Sequence, residues 1–364
     1  MSFTNSFTTN TFSAILTKSL QHILSGKTCV ICTPVRIIGS VPCPSNARLV
    51  AYDTHLEGTI GGGSLEHQAG SIASNLLSSS DTNPLLFRFD YDSLVALKSD
   101  PICGGNVTVL IEKITPEVAQ EWLNALSSDS GYLEVLNFSS PVKELLKSTG
   151  VSNVNLSRHF LVDPQQIPSS LSQLDILPSL FQSNSFSEVI SDDVLVLIRR
   201  PLKVITVFGA GHCSRALSQI APLAGFKVEL CDDRDELVDG LTPSPDVIGI
   251  KVDYNSVQSL LQLRPQSFIV IMTHGHSHDL TVLRQVLSSS IKFPYIGMIG
   301  SKRKVKLVLD QLKSEGISEE LISSVYAPIG LPIGGGTAGC VAISIAAQIV
   351  QVSSGGKKKG GCLG

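Results

Sequence analysis

The chain has 364 residues, 43% hydrophobic and only 16% charged, with a net charge of −3. Such a length supplies two buried cores, and the slight acidic excess excludes nucleic acid as a partner held by bulk electrostatics. No apolar run reaches membrane-spanning length. The Ser/Thr-rich start lacks the arginines of a transit peptide and the apolar core of a signal peptide, so the expectation is a cytoplasmic protein without membrane contact.

Helical spacing over 12–24 predicts an amphipathic helix stopped at Gly26. A strand is expected over 27–38. Cys29 and Cys32 have C-x-x-C spacing there, but residues three apart on a strand face opposite ways, so they read as buried, reduced side chains. Strands follow over 47–52 and 57–60. Gly61, Gly62, Gly63 and Ser64 then lead into a helix over 67–77. The free N–H groups at such a start make either an anion cradle or a tight turn, with Ser64 as the N-cap.

A strand over 85–89 precedes the loop Pro101-Ile-Cys-Gly-Gly-Asn106, which carries Cys103, Gly104 and Gly105. A thiol in an open glycine loop can reach a soft metal or a persulfide donor, or can serve as a small structural residue. A strand over 107–112 and a helix over 116–126 complete a first domain, 12–126. The polar stretch 127–200 carries strands over 132–138, 158–162 and 193–198, with 169–188 read as a linker.

The segment 204–217, VITVFGAGHCSRAL, is a short apolar strand, a glycine turn and a helix start. That is the entry to a Rossmann-type unit. Gly209 permits the turn, Gly211 lets a phosphate approach, and His212 stands where that phosphate would lie. Ser214 takes the place of a third glycine. A second strand ends at Asp232-Asp233, where an acid would hold a ribose hydroxyl. Further strands over 247–252, 268–272 and 295–299 alternate with helical segments, which predicts a mainly parallel sheet with helices on both faces, over 201–352.

Two loops follow strand ends, where open α/β sheets bind ligands. In Thr273-His-Gly-His-Ser-His-Asp279, the histidines share a side if the chain is extended, as adjacent metal ligands do. The preferred reading is that His274 and His276 donate hydrogen bonds to an anionic ligand, and His276 with Asp279 is the remaining proton-transfer pair. Ser301, with one of Lys302 and Arg303, suits a phosphate at a helix start; the alternative is a solvated helix face. The glycine-rich loop 328–337 opens a helix over 338–352 that is apolar nearly all round and is expected to be buried. The tail 353–364, with three lysines and Cys362, reads as solvated.

GTIGGGSLE, PICGGNVTVLIE, VFGAGHCSRAL, DDR, THGHSHDL, YIGMIGSKRKV and APIGLPIGG stand here in the order found in the XdhC/CoxI family, which the chain resembles from about 39 to 352. The resemblance implies an α/β fold, with an N-terminal α/β domain and a C-terminal Rossmann-like one. It implies a homodimeric accessory factor that binds molybdenum cofactor (molybdopterin), protects it while sulfur is added, and delivers it to a xanthine dehydrogenase-like molybdoenzyme. A cysteine desulfurase-type protein would be the sulfur donor, and Cys103 the contact to molybdenum or persulfide. The chain departs from the family pattern at four points: Cys43 follows Pro42 in place of arginine, Cys103 stands without a second cysteine, and Pro332 and Cys340 replace two acids. An NAD(P)-dependent oxidoreductase is the alternative from the residues alone, through the glycines and Asp232-Asp233; a nucleotide-binding regulatory protein is the third.

Overall fold

The computed structural model describes residues 12–44, 46–91, 105–128, 131–183, 185–241, 244 and 246–355. Cys103, Gly104 and the tail after 355 lie outside them. The chain divides into two compact units, one of Phe12–Pro201 and one that begins at Leu202.

The first unit opens with α1 (Phe12–Leu24), β1 (Cys29–Gly39), β2 (Arg48–Tyr52), β3 (His55–Thr59), α2 (Gly63–Ser78), β4 (Leu85–Asp90), β5 (Gly105–Lys113) and α3 (Pro116–Leu126). It continues with β6 (Tyr132–Phe138), α4 (Val142–Leu145), β7 (Gly150–Asn153), β8 (Leu156–Leu161), α5 (Leu177–Leu180), β9 (Ser187–Val189) and β10 (Val194–Arg199). One sheet has the order β3-β2-β1-β5-β4-β7. Along β1, Val30 and Cys32 pack under α2, while Cys29 and Ile31 pack under α1 and α3. The two cysteines therefore face opposite ways, as strand geometry requires. Burial pushes the thiol of Cys32 up, out of the reactive range.

The second sheet, β8-β6-β10-β9, is antiparallel. Leu136, Leu195 and Leu197 pack one of its faces on Val35, Leu86 and Leu110 of the first sheet. Its other face, Leu133, Val135, Val194 and Val196, is covered by Leu171, Leu177 and Leu180. The expected linker over 169–188 is thus a folded cover. Leucines at 171, 174, 177 and 180 repeat every three residues and supply an apolar stripe that the intervening serines dilute.

Buried charge ties this unit together. Arg158 pairs with Glu112 and lies 2.9 Å from Glu134, with Arg199 at 3.6 Å from the same carboxylate. The Arg158 guanidinium sits 5.2 Å from the ring of the sole tryptophan, Trp122, whose indole donates to the Tyr132 hydroxyl at 2.8 Å.

The second unit contains β11 (Lys203–Phe208), α6 (His212–Ile220), β12 (Phe226–Asp232), α7 (Asp235–Asp239), β13 (Val247–Lys251), α8 (Gln258–Leu263) and β14 (Phe268–Ile271). Then come α9 (His276–Leu287), β15 (Tyr295–Met298), α10 (Lys302–Ser314), α11 (Glu319–Ser324) and α12 (Ala338–Ser353). All five strands are parallel, in the order β13-β12-β11-β14-β15. The chain runs outward from β11 in one direction, then returns to β14 on its other side. That reversal makes a switch point between β11 and β14 at the strands' C-terminal ends.

Apolar residues alternate along β11. Ile205 and Val207 face α6 and α12, while Phe208 joins the core beneath α8, α9 and α10. α12 is not buried all round. Ala342, Ile345, Ala346 and Ile349 pack inward, but Ile343 is 51% exposed. A single helix laid on a sheet can bury only one face, whatever its composition. Among the described residues, no helix is long and apolar enough to cross a membrane.

Candidate functional site at the ends of the parallel strands

The turn after β11 is set by close packing. Gly209 has φ 112°, and a Cβ there would lie 2.2 Å from the Met272 carbonyl. Its N–H donates to Cys231 O at 2.7 Å. Gly211 differs: its backbone is extended, and a Cβ would meet nothing within 4 Å. Gly211 is the N-cap of α6, a position that glycine favours, and among the described residues it leaves the helix start open. His212 is the first residue of α6 and is exposed. Ser214 is buried, facing inward from the helix.

Asp232 does not face that opening. It is fully buried, and both carboxylate oxygens are taken. Oδ2 accepts from Ala210 N at 2.7 Å and from the Arg234 guanidinium at 3.0 Å; Oδ1 accepts from Arg234 N at 3.1 Å and Nε at 2.8 Å. Burial alone would raise its pKa, but these bonds outweigh it and hold the carboxyl well below the usual carboxylate range. The expected ribose contact is corrected here to a brace between the strand end and the glycine turn. Asp233 is the acid that reaches the surface, with its side chain one-third exposed.

The histidine loop also departs from the extended reading. α9 begins at His276, so the chain turns into a helix and the three rings do not line up on one side. His274 and His278 stack, with centroids 4.8 Å apart, against the buried ring of Tyr254. His276 is exposed and outside this group. Asp279, read as a proton-transfer partner, is fully buried and structural. It accepts from Thr273 N at 3.0 Å and Thr273 Oγ1 at 2.7 Å, and it pairs with Lys304.

Ser301 caps α10, its hydroxyl accepting from Lys304 N at 3.2 Å. Lys302 and Arg303 are exposed, and the cation turned inward is Lys304. At this helix start the third position faces the neighbouring buried acid, which leaves Lys302 and Arg303, the cations expected at a phosphate, on the exposed side.

In the first unit, Gly61, Gly62 and Gly63 all have positive φ. The N-cap of α2 is Gly62 without a side-chain bond, so Ser64 lies inside the first turn and does not cap. Glu66 folds back instead. Its Oε2 accepts from Ile60 N and Gly62 N, each at 3.1 Å, and from the Thr59 hydroxyl. The cradle thus holds its own carboxylate. Gly105 opens β5, where a Cβ would lie 2.1 Å from the Ile38 carbonyl. Cys43 is buried, and its thiol is pushed up to about 12 by burial. Cys340, in the first turn of α12, lies beneath Gly335.

Two family models match the chain. XdhC and CoxI family covers 22–90, and XdhC Rossmann domain covers 205–349. The chain belongs to the XdhC/CoxI family. Among curated relatives of this XdhC/CoxI chain, the uncharacterised protein YqeB of Escherichia coli K12 is 34% identical over 41% of the chain, which spans only 27% of YqeB. A probable xanthine dehydrogenase subunit from Bacillus subtilis 168 is 28% identical, over 68% of the chain and 70% of the relative. The molybdenum cofactor insertion chaperone PaoD of E. coli K12 is 23% identical, over 95% and 90%. A crystal structure of a xanthine dehydrogenase from Bacillus halodurans shares the fold, with TM-score 0.68 and 21% identity over 96% of this chain and 98% of that one.

Proposed function

We propose that this chain is an accessory factor that binds molybdenum cofactor as cargo and assists its sulfuration and insertion into a xanthine dehydrogenase-like molybdenum hydroxylase. The observation that carries the reading is the opening at Gly211. At this helix start, by the switch point of a parallel sheet, a Cβ on Gly211 would meet nothing within 4 Å among the described residues, which supports a phosphate approaching the N–H groups there. A molybdopterin presents such a phosphate. The family membership and the likeness to PaoD over 95% of the chain support the choice of cargo.

Within this reading, the backbone around Gly211 and His212 takes the phosphate, and Asp232 with Arg234 keeps the turn in shape. Cys103 is the thiol offered to the molybdenum end or to a persulfide, and a cysteine desulfurase-type protein supplies sulfur. The factor works as a cytoplasmic homodimer. Asp232 has its carboxylate already spent on the turn, so of the acid pair only Asp233 is left for the ribose of the alternative cofactor, NAD(P).

The test is purification without oxygen, followed by assays of bound molybdenum and of pterin fluorescence after oxidation, with NAD(P)H titrated alongside. Near-stoichiometric molybdenum and pterin support the proposal. Tight NAD(P)H binding with neither overturns it.

A further inference from the structure

Asp233, His274 and His278 bring three donor atoms of metal-binding type within 4.8 Å of one another. They come from two strand ends. Asp233 directly follows β12; His274 follows β14, and His278 lies in the first turn of α9. His274 Nε2 stands 3.9 Å from Asp233 Oδ2, too far for a hydrogen bond but close to the separation of two ligands on one ion. Asp233 Oδ1 is buried and accepts no hydrogen bond among the described residues; the Arg234 Nε 3.8 Å away is already bound to Asp232. Tyr254, buried behind both imidazoles at 5.3 and 6.2 Å, fixes the stack.

We propose that Asp233, His274 and His278 form a site for one divalent transition-metal ion of the zinc type, with at least one coordination position left open. Two neutral imidazoles and one carboxylate are borderline ligands that suit zinc, cobalt or iron rather than magnesium or calcium. Three protein ligands leave a four-coordinate ion one place for water or an anionic oxygen. The bound ion carries one net positive charge here, two from the metal less one from Asp233, which suits an anion above the sheet. The inference is independent of the proposed molybdenum cargo. The donor atoms lie at most 4.8 Å apart, against the ~3–3.5 Å between ligands of one four-coordinate ion.

The test uses the full chain, untagged and stripped with a chelator, titrated with Zn2+ by calorimetry and with Co2+ by visible absorption. One equivalent is expected, with Co2+ d–d bands and no intense near-ultraviolet thiolate band. H278A and D233N should each weaken binding at least tenfold, whereas H276A should not. Absence of binding, a thiolate band, equal affinity in H278A and D233N, or equal weakening by H276A overturns the proposal. Circular dichroism of each variant shows that the fold is kept.

Discussion

Asp232→Asn separates a brace from a ligand contact. The carboxylate accepts four bonds, three of them from Arg234 and one from Ala210 N, and it has no solvent exposure. An asparagine keeps one oxygen and turns an NH2 toward an existing donor. The loss of charge-assisted bonds is worth roughly 1.5–3 kcal/mol for the Ala210 side, and an unsatisfied buried donor adds to it. Arg234 is 35% exposed, so water recovers much of its share. A total of about 3 kcal/mol is expected, which lowers the melting temperature of a unit of this size by roughly 6–12 °C. Thermal melting by far-ultraviolet circular dichroism at pH 7 measures it. The carboxyl is held below its unfolded value, so its contribution is complete above about pH 4 and fades as pH falls through the folded value. The variant should lose that acid dependence. A melting temperature within ~1 °C of the parent would refute the brace, and weakened NAD(P)H binding in such a stable variant would restore the ribose role.

Gly209→Ala should unfold or strongly destabilise the second unit, because its Cβ would meet the Met272 carbonyl at 2.2 Å. Gly211→Ala has open space, so it should melt with the parent yet lose bound pterin and molybdenum; unchanged cofactor content would count against the phosphate position. Arg158→Ala leaves Glu112 and Glu134 buried without their main partner, which should cost about 3–5 kcal/mol. Urea unfolding followed by the emission of Trp122, which lies in that unit, reads the change. Lys304→Met strips the buried Asp279 of its cation and should lower stability more than Lys302→Met, whose side chain is exposed, as compared by the same thermal melts.

Local structure was legible wherever period and punctuation agreed. The helices at 12–24 and 116–126 and the strand at 132–138 stand in the structure at the residues the sequence predicts. The parallel sheet followed from alternation of apolar runs with helices. What could not be read were contacts made across elements. The stripe of leucines from 171 to 180 gains meaning only once the second sheet exists for it to cover. Asp232 sits at the ribose distance along the chain, but a residue count cannot tell which way a carboxylate turns at a strand end. An extended chain pairs His274 with His276, and only the helix start at His276 exchanges that neighbour for His278. The same rotation selects Lys304 over Lys302 and Arg303. The signal for Asp233 was present as the second acid of a pair. Its importance emerges when the first is consumed by the turn.

The fold-back of Glu66 gives the donors of the first unit's glycine loop an anion from their own chain. Thr59, Ile60 and Gly62 present their donors to a carboxylate fixed only a few residues along the same chain. A tether that short holds its anion at an effective concentration of about millimolar or higher. Chloride or a lone carboxylate from solution must exceed that level to displace it.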